Sequence, residues 1–332
     1  MDLKNKYFYV LTLSSSPHVH GKNRTWNLML DVIIALMPAL IWSIIAFGFR
    51  ALTLTAVSVA ACVFFEWGYR KVMKLDNTIF DLSAVVTGIL LAFVCPVTLP
   101  YWVIIVGDFF AIIIVKQLFG GIGKNIINPA LGARAFLFSW ASLMTTWVPF
   151  GSKPGIFSTV DAVTSATPLE AMHSGNLSNF SLAELFMGKT GGAMGEISAM
   201  LLVVGGLYLV LRRVISLRIP LAYIGTVALL AFLFPMGNDR LVWMGAQVLS
   251  GGLMLGAWFM ATDYVTSPVT GWGQIVYGVG CGIITIVIRY LGAYPEGVSY
   301  AILVMNCCVV LLDKIGVPKR FGLVKTGKEA AK

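Results

Sequence analysis

Apolar runs close to the roughly 20 residues that a helix needs to cross a 30 Å hydrocarbon core recur along almost the whole of this 332-residue chain. Ten such runs stand between polar breaks, near 27–48, 51–66, 79–96, 101–118, 133–149, 194–211, 219–234, 241–261, 273–291 and 298–312. The chain is 58% hydrophobic and 12% charged, where soluble domains carry about 25% charged residues. A soluble enzyme is thereby excluded, and an all-α integral membrane protein of about ten transmembrane helices is expected.

The formal charge of +9 comes from 24 basic and 15 acidic residues. The basic residues form short clusters between apolar runs and at the two ends rather than one basic face. Anionic lipid and membrane orientation account for them, and nucleic acid does not. Cytoplasmic loops collect Lys and Arg. Nineteen of the basic residues, among them Lys116, Lys124 and Arg134, fall on one side, and five, Arg50, Lys153, Lys189, Arg240 and Arg289, on the other. Both termini are therefore expected in the cytoplasm. The polar amino terminus lacks the order of a cleaved signal peptide, so the first run is expected to act as its own insertion signal.

The same reasoning divides the chain into a cytoplasmic tail (1–26), a first five-helix half (27–149), an external loop (150–193), a second five-helix half (194–312) and a basic cytoplasmic tail (313–332). Because five is odd, the halves enter the membrane from opposite faces, as an inverted repeat requires. Thr87-Gly88-Ile89-Leu90-Leu91-Ala92-Phe93 has a weak echo in Ser250-Gly251-Gly252-Leu253-Met254-Leu255-Gly256-Ala257-Trp258-Phe259.

Three polar stretches carry the chemistry. In the long loop, Ser158-Thr159-Val160-Asp161-Ala162-Val163-Thr164-Ser165-Ala166-Thr167-Pro168-Leu169 sets hydroxyls beside an acid, and Pro168 biases Thr167 toward extended backbone. On residues alone this also reads as an ordinary loop. Phe119-Gly120-Gly121-Ile122-Gly123-Lys124-Asn125-Ile126-Ile127-Asn128-Pro129-Ala130 lies directly beside a run and cannot continue it as one helix. Such breaks line a cofactor or substrate site, or are tight turns. Ala261-Thr262-Asp263-Tyr264-Val265-Thr266-Ser267-Pro268 gathers oxygens suited to a hard cation or a flavin edge, around an acid that would otherwise cap a turn.

Asp161-x-x-Thr164-Ser165-Ala166-Thr167 resembles the covalent flavinylation signal, with Ser165 standing where Gly is usual. Together with Ser16-Pro17-His18-Val19-His20 and the two other stretches, it makes the chain resemble the RnfD and NqrB family of membrane subunits of Rnf and Nqr electron transport complexes, from about residue 16 to 315. The short amino-terminal tail is closer to RnfD. The resemblance implies FMN joined by a phosphoester to Thr167 by a dedicated FMN transferase. It also implies a second, non-covalent flavin such as riboflavin near Gly120, Gly121, Asn125, Asn128, Pro129, Asp263 and Thr266, and a scaffold like that of the urea and ammonium channels. The function implied is that of a membrane subunit of an ion-translocating ferredoxin:NAD oxidoreductase. Its partners would be the other soluble and membrane subunits of that complex, and Na⁺ or H⁺ movement would be coupled to electron transfer.

Intramembrane ionisable groups are expensive and point to function. Asp108 and Lys116 lie eight residues apart in one run and share a face, and Glu66 and Asp31 lie near run ends. Asp108, Lys116 and Glu66 are candidates for an ion path, with snorkelling the plain alternative for Lys116. The five cysteines all fall in apolar runs and read as small buried hydrophobes rather than as a disulfide framework or metal pair. None of the three histidines lies in a run, which excludes paired-histidine membrane haems. No Walker A, dinucleotide fingerprint or CxxC pair occurs. Two rival readings are an Nqr-type subunit serving a quinone reductase and a passive channel or secondary transporter for a small polar solute.

Overall fold

The first two runs form helices α1 (Thr25–Phe47) and α2 (Phe49–Val72), long enough at 1.5 Å per residue to reach about 35 Å and cross the hydrocarbon core. They meet at a corner on Gly48, whose φ of 77° favours a residue without Cβ. The structure is a computed structural model that describes residues 24–155, 167–173, 181–237, 239–292 and 296–316. Among them are helices and turns but no strand.

A 3₁₀ turn (Ile79–Asp81) leads into α3 (Ser83–Phe93), which stops at Val94 ahead of Pro96 and Pro100. Helix α4 (Tyr101–Phe109) runs on as a π-helix (Phe110–Gln117). After the Gly- and Asn-rich stretch come α5 (Pro129–Leu137), a 3₁₀ turn (Phe138–Trp140) and α6 (Ala141–Met144). Two short helices follow, α7 (Pro168–His173) and α8 (Leu182–Met187), the latter started by a Ser181–Glu184 capping box. Then come α9 (Ala199–Leu211), α10 (Arg218–Leu233) and α11 (Arg240–Leu249). Helix α12 (Leu253–Leu255) passes into a π-helix (Gly256–Met260), and α13 (Gly271–Leu291) and α14 (Val298–Leu312) complete the described chain.

Every apolar run falls on helix, but the bounds change where the backbone breaks. The second helix extends to Val72 rather than ending near 66, and the third contracts to Ser83–Phe93. The fifth starts at Pro129 rather than 133, because Asn128 caps it by accepting from Ala130 and Leu131 N–H and Pro129 suits the first helical position. The sixth starts at Ala199 rather than 194. The eighth is two pieces bent by 60° at Ser250–Gly252, where Gly251 and Gly252 both have φ of 67°. Helices α1, α2 and α13 are each long and apolar enough to cross a membrane, as is the bent α11–α12 pair taken together.

Helix α2 packs on α3 and α4, and α10 on α13; α1 with α9, and α5 with α14, join the two halves of the chain. Small residues let the helices approach. A Cβ at Gly88 would lie 2.8 Å from Val59 Cα, and one at Gly205 would collide with the carbonyl oxygen of Ala35. Large apolar side chains point outward instead, including Ile34, Ile41 and Ile45 on α1 and Ile283, Val287 and Leu291 on α13. Continuous apolar surface of this kind suits lipid, and the protein is membrane-embedded and multi-pass.

Three arginines depart from the charge reading. Arg134, counted in a cytoplasmic cluster, lies inside α5, is buried, and pairs with Glu296 and Ser299 (2.8 Å to the latter). Arg50 donates to the carbonyls of Val97 (2.8 Å) and Thr98 (3.2 Å) in the turn after α3. Arg289 donates to those of Gln247 (2.5 Å), Ser250 (2.9 Å) and Gly251 (3.3 Å) at the α11–α12 break. Each of these last two satisfies backbone acceptors that a broken helix leaves without partners. Cys62, Cys95 and Cys281 are buried as expected, whereas Cys307 is exposed on α14.

Candidate functional site

The Gly- and Asn-rich stretch and the Asp263 stretch, over 130 residues apart in sequence, come together at a cavity of about 400 Å³. This is within the range of small-molecule sites. Its apolar walls include Leu28, Val86, Leu90 and Phe259, and its polar lining includes Asn125, Asn128, Asp263, Ser83 and Lys116. Pro129 lines it as well; Gly120, Gly121 and Thr266 do not. Gly120 and Gly121 instead form the turn after α4 with φ of 111° and 92°.

The two stretches are tied directly. Asn128 Nδ2 donates to Met260 O at 3.4 Å. Asn306 of α14, 2% exposed, bridges them when its amide nitrogen donates to Thr266 O (3.0 Å) and its oxygen accepts from Asn128 N–H (3.1 Å). Sequence reading missed Asn306, although a lone carboxamide in the run Val298–Leu312 is a signal of this kind. Asp263 Oδ2 accepts from Thr266 Oγ1 at 3.2 Å and Oδ1 from Val265 N–H at 3.5 Å. Burial pushes its carboxyl above the usual carboxylate range, against the pull of those two hydrogen bonds and of Lys116.

Lys116 does not snorkel. It is 3% exposed, and its Nζ donates to Glu66 Oε2 (2.9 Å) and Ser83 Oγ (2.7 Å). Glu66 Oε1 accepts from Gln117 Nε2 and Thr78 Oγ1, each at 2.9 Å. Asp108, on the same helix, is set apart from this pair and meets Ser58 and Cys62 of α2. Asp31 pairs with Arg212 (3.2 Å) and accepts from Tyr208 OH (3.0 Å), fastening α1 to the end of α9.

Thr167 sits at the start of α7, 8% exposed, on a recess of about 20 Å³. Glu196, Glu296, Thr190, Ser250 and Gly251 share it. Asp161, Thr164, Ser165 and Ala166 lie outside the described residues. The segment that carries Glu196 is pinned to the far end of α3, where Gly195 N–H donates to Phe93 O at 2.9 Å. Burial pushes the Glu196 carboxyl up, opposed by Arg134 and Arg289. Ser83 opens α3 at the cavity and Phe93 closes it against the recess segment. The two regions are thus joined by one helix of 11 residues, about 16 Å long. Among the described residues no cluster of three His, Cys, Asp or Glu could hold a metal ion.

The family described as NQR2, RnfD, RnfE matches residues 12–322 of the chain. The subunit named D in the Na(+)-translocating ferredoxin:NAD(+) oxidoreductase complex of Acetobacterium woodii is 48% identical over 326 residues, covering 96% of this chain and 98% of the relative. Its counterpart in the proton-translocating ferredoxin:NAD(+) oxidoreductase complex of Clostridium ljungdahlii is 41% identical over 326 residues, covering 94% and 96%. The one in the ion-translocating oxidoreductase complex of Stutzerimonas stutzeri is 36% identical over 330 residues, covering 91% and 93%.

Proposed function

The chain belongs to the NQR2, RnfD, RnfE family, and from that premise we propose that it is the flavin-carrying membrane subunit of an ion-translocating ferredoxin:NAD oxidoreductase (Rnf) complex. It binds neither ferredoxin nor NAD itself; electrons reach and leave it through the other subunits. FMN is joined by its phosphate to Thr167 by a dedicated transferase that reads Asp161, Thr164, Ser165 and Ala166. The flavins, when bound, supply one- and two-electron redox chemistry. Thr167, on the recess of about 20 Å³, would hold the FMN phosphate, and the recess is too small to take a flavin ring system.

The observation that carries this reading is the meeting of the two broken stretches at the 400 Å³ cavity. Its apolar walls suit the flat ring of a non-covalent flavin, and the Asn125 carboxamide oxygen and the Asp263 carboxyl offer polar groups for its edge, the Asn128 carboxamide being taken up by the α5 cap and Met260 O. Lys116, the lysine on the cavity wall, is engaged by Glu66, so the lining favours a flavin without phosphate, such as riboflavin. Side chains from both halves line the cavity, Val86 and Leu90 from one and Leu209 and Phe259 from the other.

In this proposal the chain is two inverted five-helix halves, 27–149 and 194–312, on a scaffold like that of the urea and ammonium channels. Both termini face the cytoplasm and loop 150–193 lies outside the cell membrane. One fact supports the repeat: each half has a buried arginine holding carbonyls at a break, Arg50 in one and Arg289 in the other. Glu66, Lys116 and Asp108 belong to the ion route.

Acid precipitation of the purified complex separates the flavins. The expected result is one flavin retained on this chain and one released per copy. Flavin in neither fraction overturns the proposal and leaves the channel or transporter reading.

A further inference from the structure

Asp108 is fully buried, 0% exposed, in a membrane helix, and among the described residues no basic group pairs with it. Lys116, two turns away on the same helix, is bound to Glu66 and Ser83. Arg134 of α5 is bound to Glu296 and Ser299, and Arg50 of α2 to the carbonyls of Val97 and Thr98. From α2 the groups that face Asp108 are Ser58 and Cys62, from α3 the carbonyl of Gly88 through Ser58, and from α5 the side chain of Leu137 beside Gly107. Glu66 lies one helical turn beyond Cys62. An isolated carboxylate in such surroundings is costly enough that it takes up a proton instead.

Hydrogen counting points the same way. Ser58 Oγ lies 2.9 Å from Gly88 O and 2.7 Å from Asp108 Oδ1. A hydroxyl has one hydrogen, so it donates to one of these and must receive from the other if both contacts are hydrogen bonds. A carbonyl has none to give. A carboxylic acid does, and Asp108–OH donating to Ser58 while Ser58 donates to Gly88 O satisfies the set. The close approach at Gly88, where a Cβ would meet Val59 Cα at 2.8 Å, is what brings that carbonyl within reach. Oδ2 of Asp108 is enclosed with no hydrogen-bond partner among the described residues, a position a neutral carbonyl oxygen tolerates better than a charged one.

The oxygens at this point are too few for a hard cation, which takes about six. Ser58 Oγ, Gly88 O and the Asp108 carboxyl are accompanied by a thiol, Cys62 Sγ at 3.2 Å. Cys62, Ala84 and Ile112 form a small dry cluster on the α2 face whose next polar residue is Glu66. That glutamate and Lys116 lead to the cavity, which Lys116 and Ser83 line.

We propose that Asp108 is a proton-binding carboxyl of the ion route, neutral at rest and selective for a proton over sodium. It releases its proton, through water that enters the dry cluster, toward the Glu66–Lys116 pair and the cavity that Lys116 and Ser83 line, and takes up the next from the opposite side of the membrane, so that each cycle moves one proton across. No bond other than O–H is made or broken. The proposal rests on the reading that this chain supplies part of the ion route, and it names what that part carries.

The test is infrared spectroscopy of the purified complex in wild type and Asp108→Asn, at neutral pH, with and without sodium chloride. Asparagine keeps the shape and a donor, so assembly and the retained flavin of both samples serve as the check that the variant folds. The expected result is a carboxylic-acid C=O band in wild type, absent from the variant, shifted in D₂O and unchanged by sodium. In proteoliposomes the variant is expected to carry electrons with less charge moved per electron. Carboxylate bands in place of the acid band, loss of the acid band on adding sodium, or unchanged charge transport in the variant would each overturn the proposal. Absence of flavin from both samples would instead count against the flavoprotein reading and leave the infrared result standing on its own.

Discussion

Replacing Lys116 with Met tests whether the buried ion pair is held as firmly as its geometry indicates. Nζ lies 2.9 Å from Glu66 Oε2, with side-chain exposures of 3% and 1%. Removing one partner of a buried pair costs about 3–5 kcal/mol, mostly because the other charge is left uncompensated. Glu66 keeps two neutral donors, Thr78 and Gln117, each at 2.9 Å, so the lower end, about 3 kcal/mol, is expected. At roughly 2 °C per kcal/mol for a chain of this size, that is a fall of about 6 °C in Tm. The companion Lys116→Met/Glu66→Gln removes both charges and retains the glutamine's contacts with Thr78 and Gln117. It should recover most of the loss, the coupling that a double-mutant cycle isolates. The assay is thermal unfolding followed by tryptophan fluorescence in one detergent. A single variant within about 1 °C of wild type, or a double variant no more stable than the single, would refute the reasoning.

Asn306→Leu removes the bridge between Thr266 and Asn128 while keeping the volume apolar; acid-released flavin should fall severalfold with retained flavin unchanged, read by extraction and absorbance. Asp263 gives a pH signature. Its carboxyl is raised in the folded state by burial, so between the ordinary carboxylate value and the raised one the folded state holds more protons than the unfolded. Stability therefore declines as pH rises through that window and is greatest below it. Asp263→Asn should flatten this decline, as measured by Tm from acid to neutral pH.

The sequence made the membrane class and the helical runs legible because lipid demands length and apolarity at nearly every position of a run, as in Thr25–Phe47. Helix breaks were less legible, since Phe93 and Ser250 sit in text as apolar as its surroundings and only the glycines and prolines beside them mark the stop. The cavity was half legible. Asn125, Asn128, Pro129 and Asp263 were picked out by polarity next to a run, but nothing in the order of residues shows that the two stretches meet. That meeting depends on α14 packing against α5, and it is why Asn306 was missed. Charge counting misjudged Arg134, and its group assignment could not reveal that Arg50 and Arg289 point inward to carbonyls, because the rule assumes that a basic residue near a run end reaches water.

The most direct measurement of the central claim is flavin fluorescence in a denaturing gel, for the chain expressed with an active FMN transferase, in wild type and in Thr167→Ala. The account predicts a fluorescent band at the chain's mass in wild type that disappears in the variant. A dark wild-type band beside a flavinylated control substrate, or a band that survives in Thr167→Ala, would contradict it.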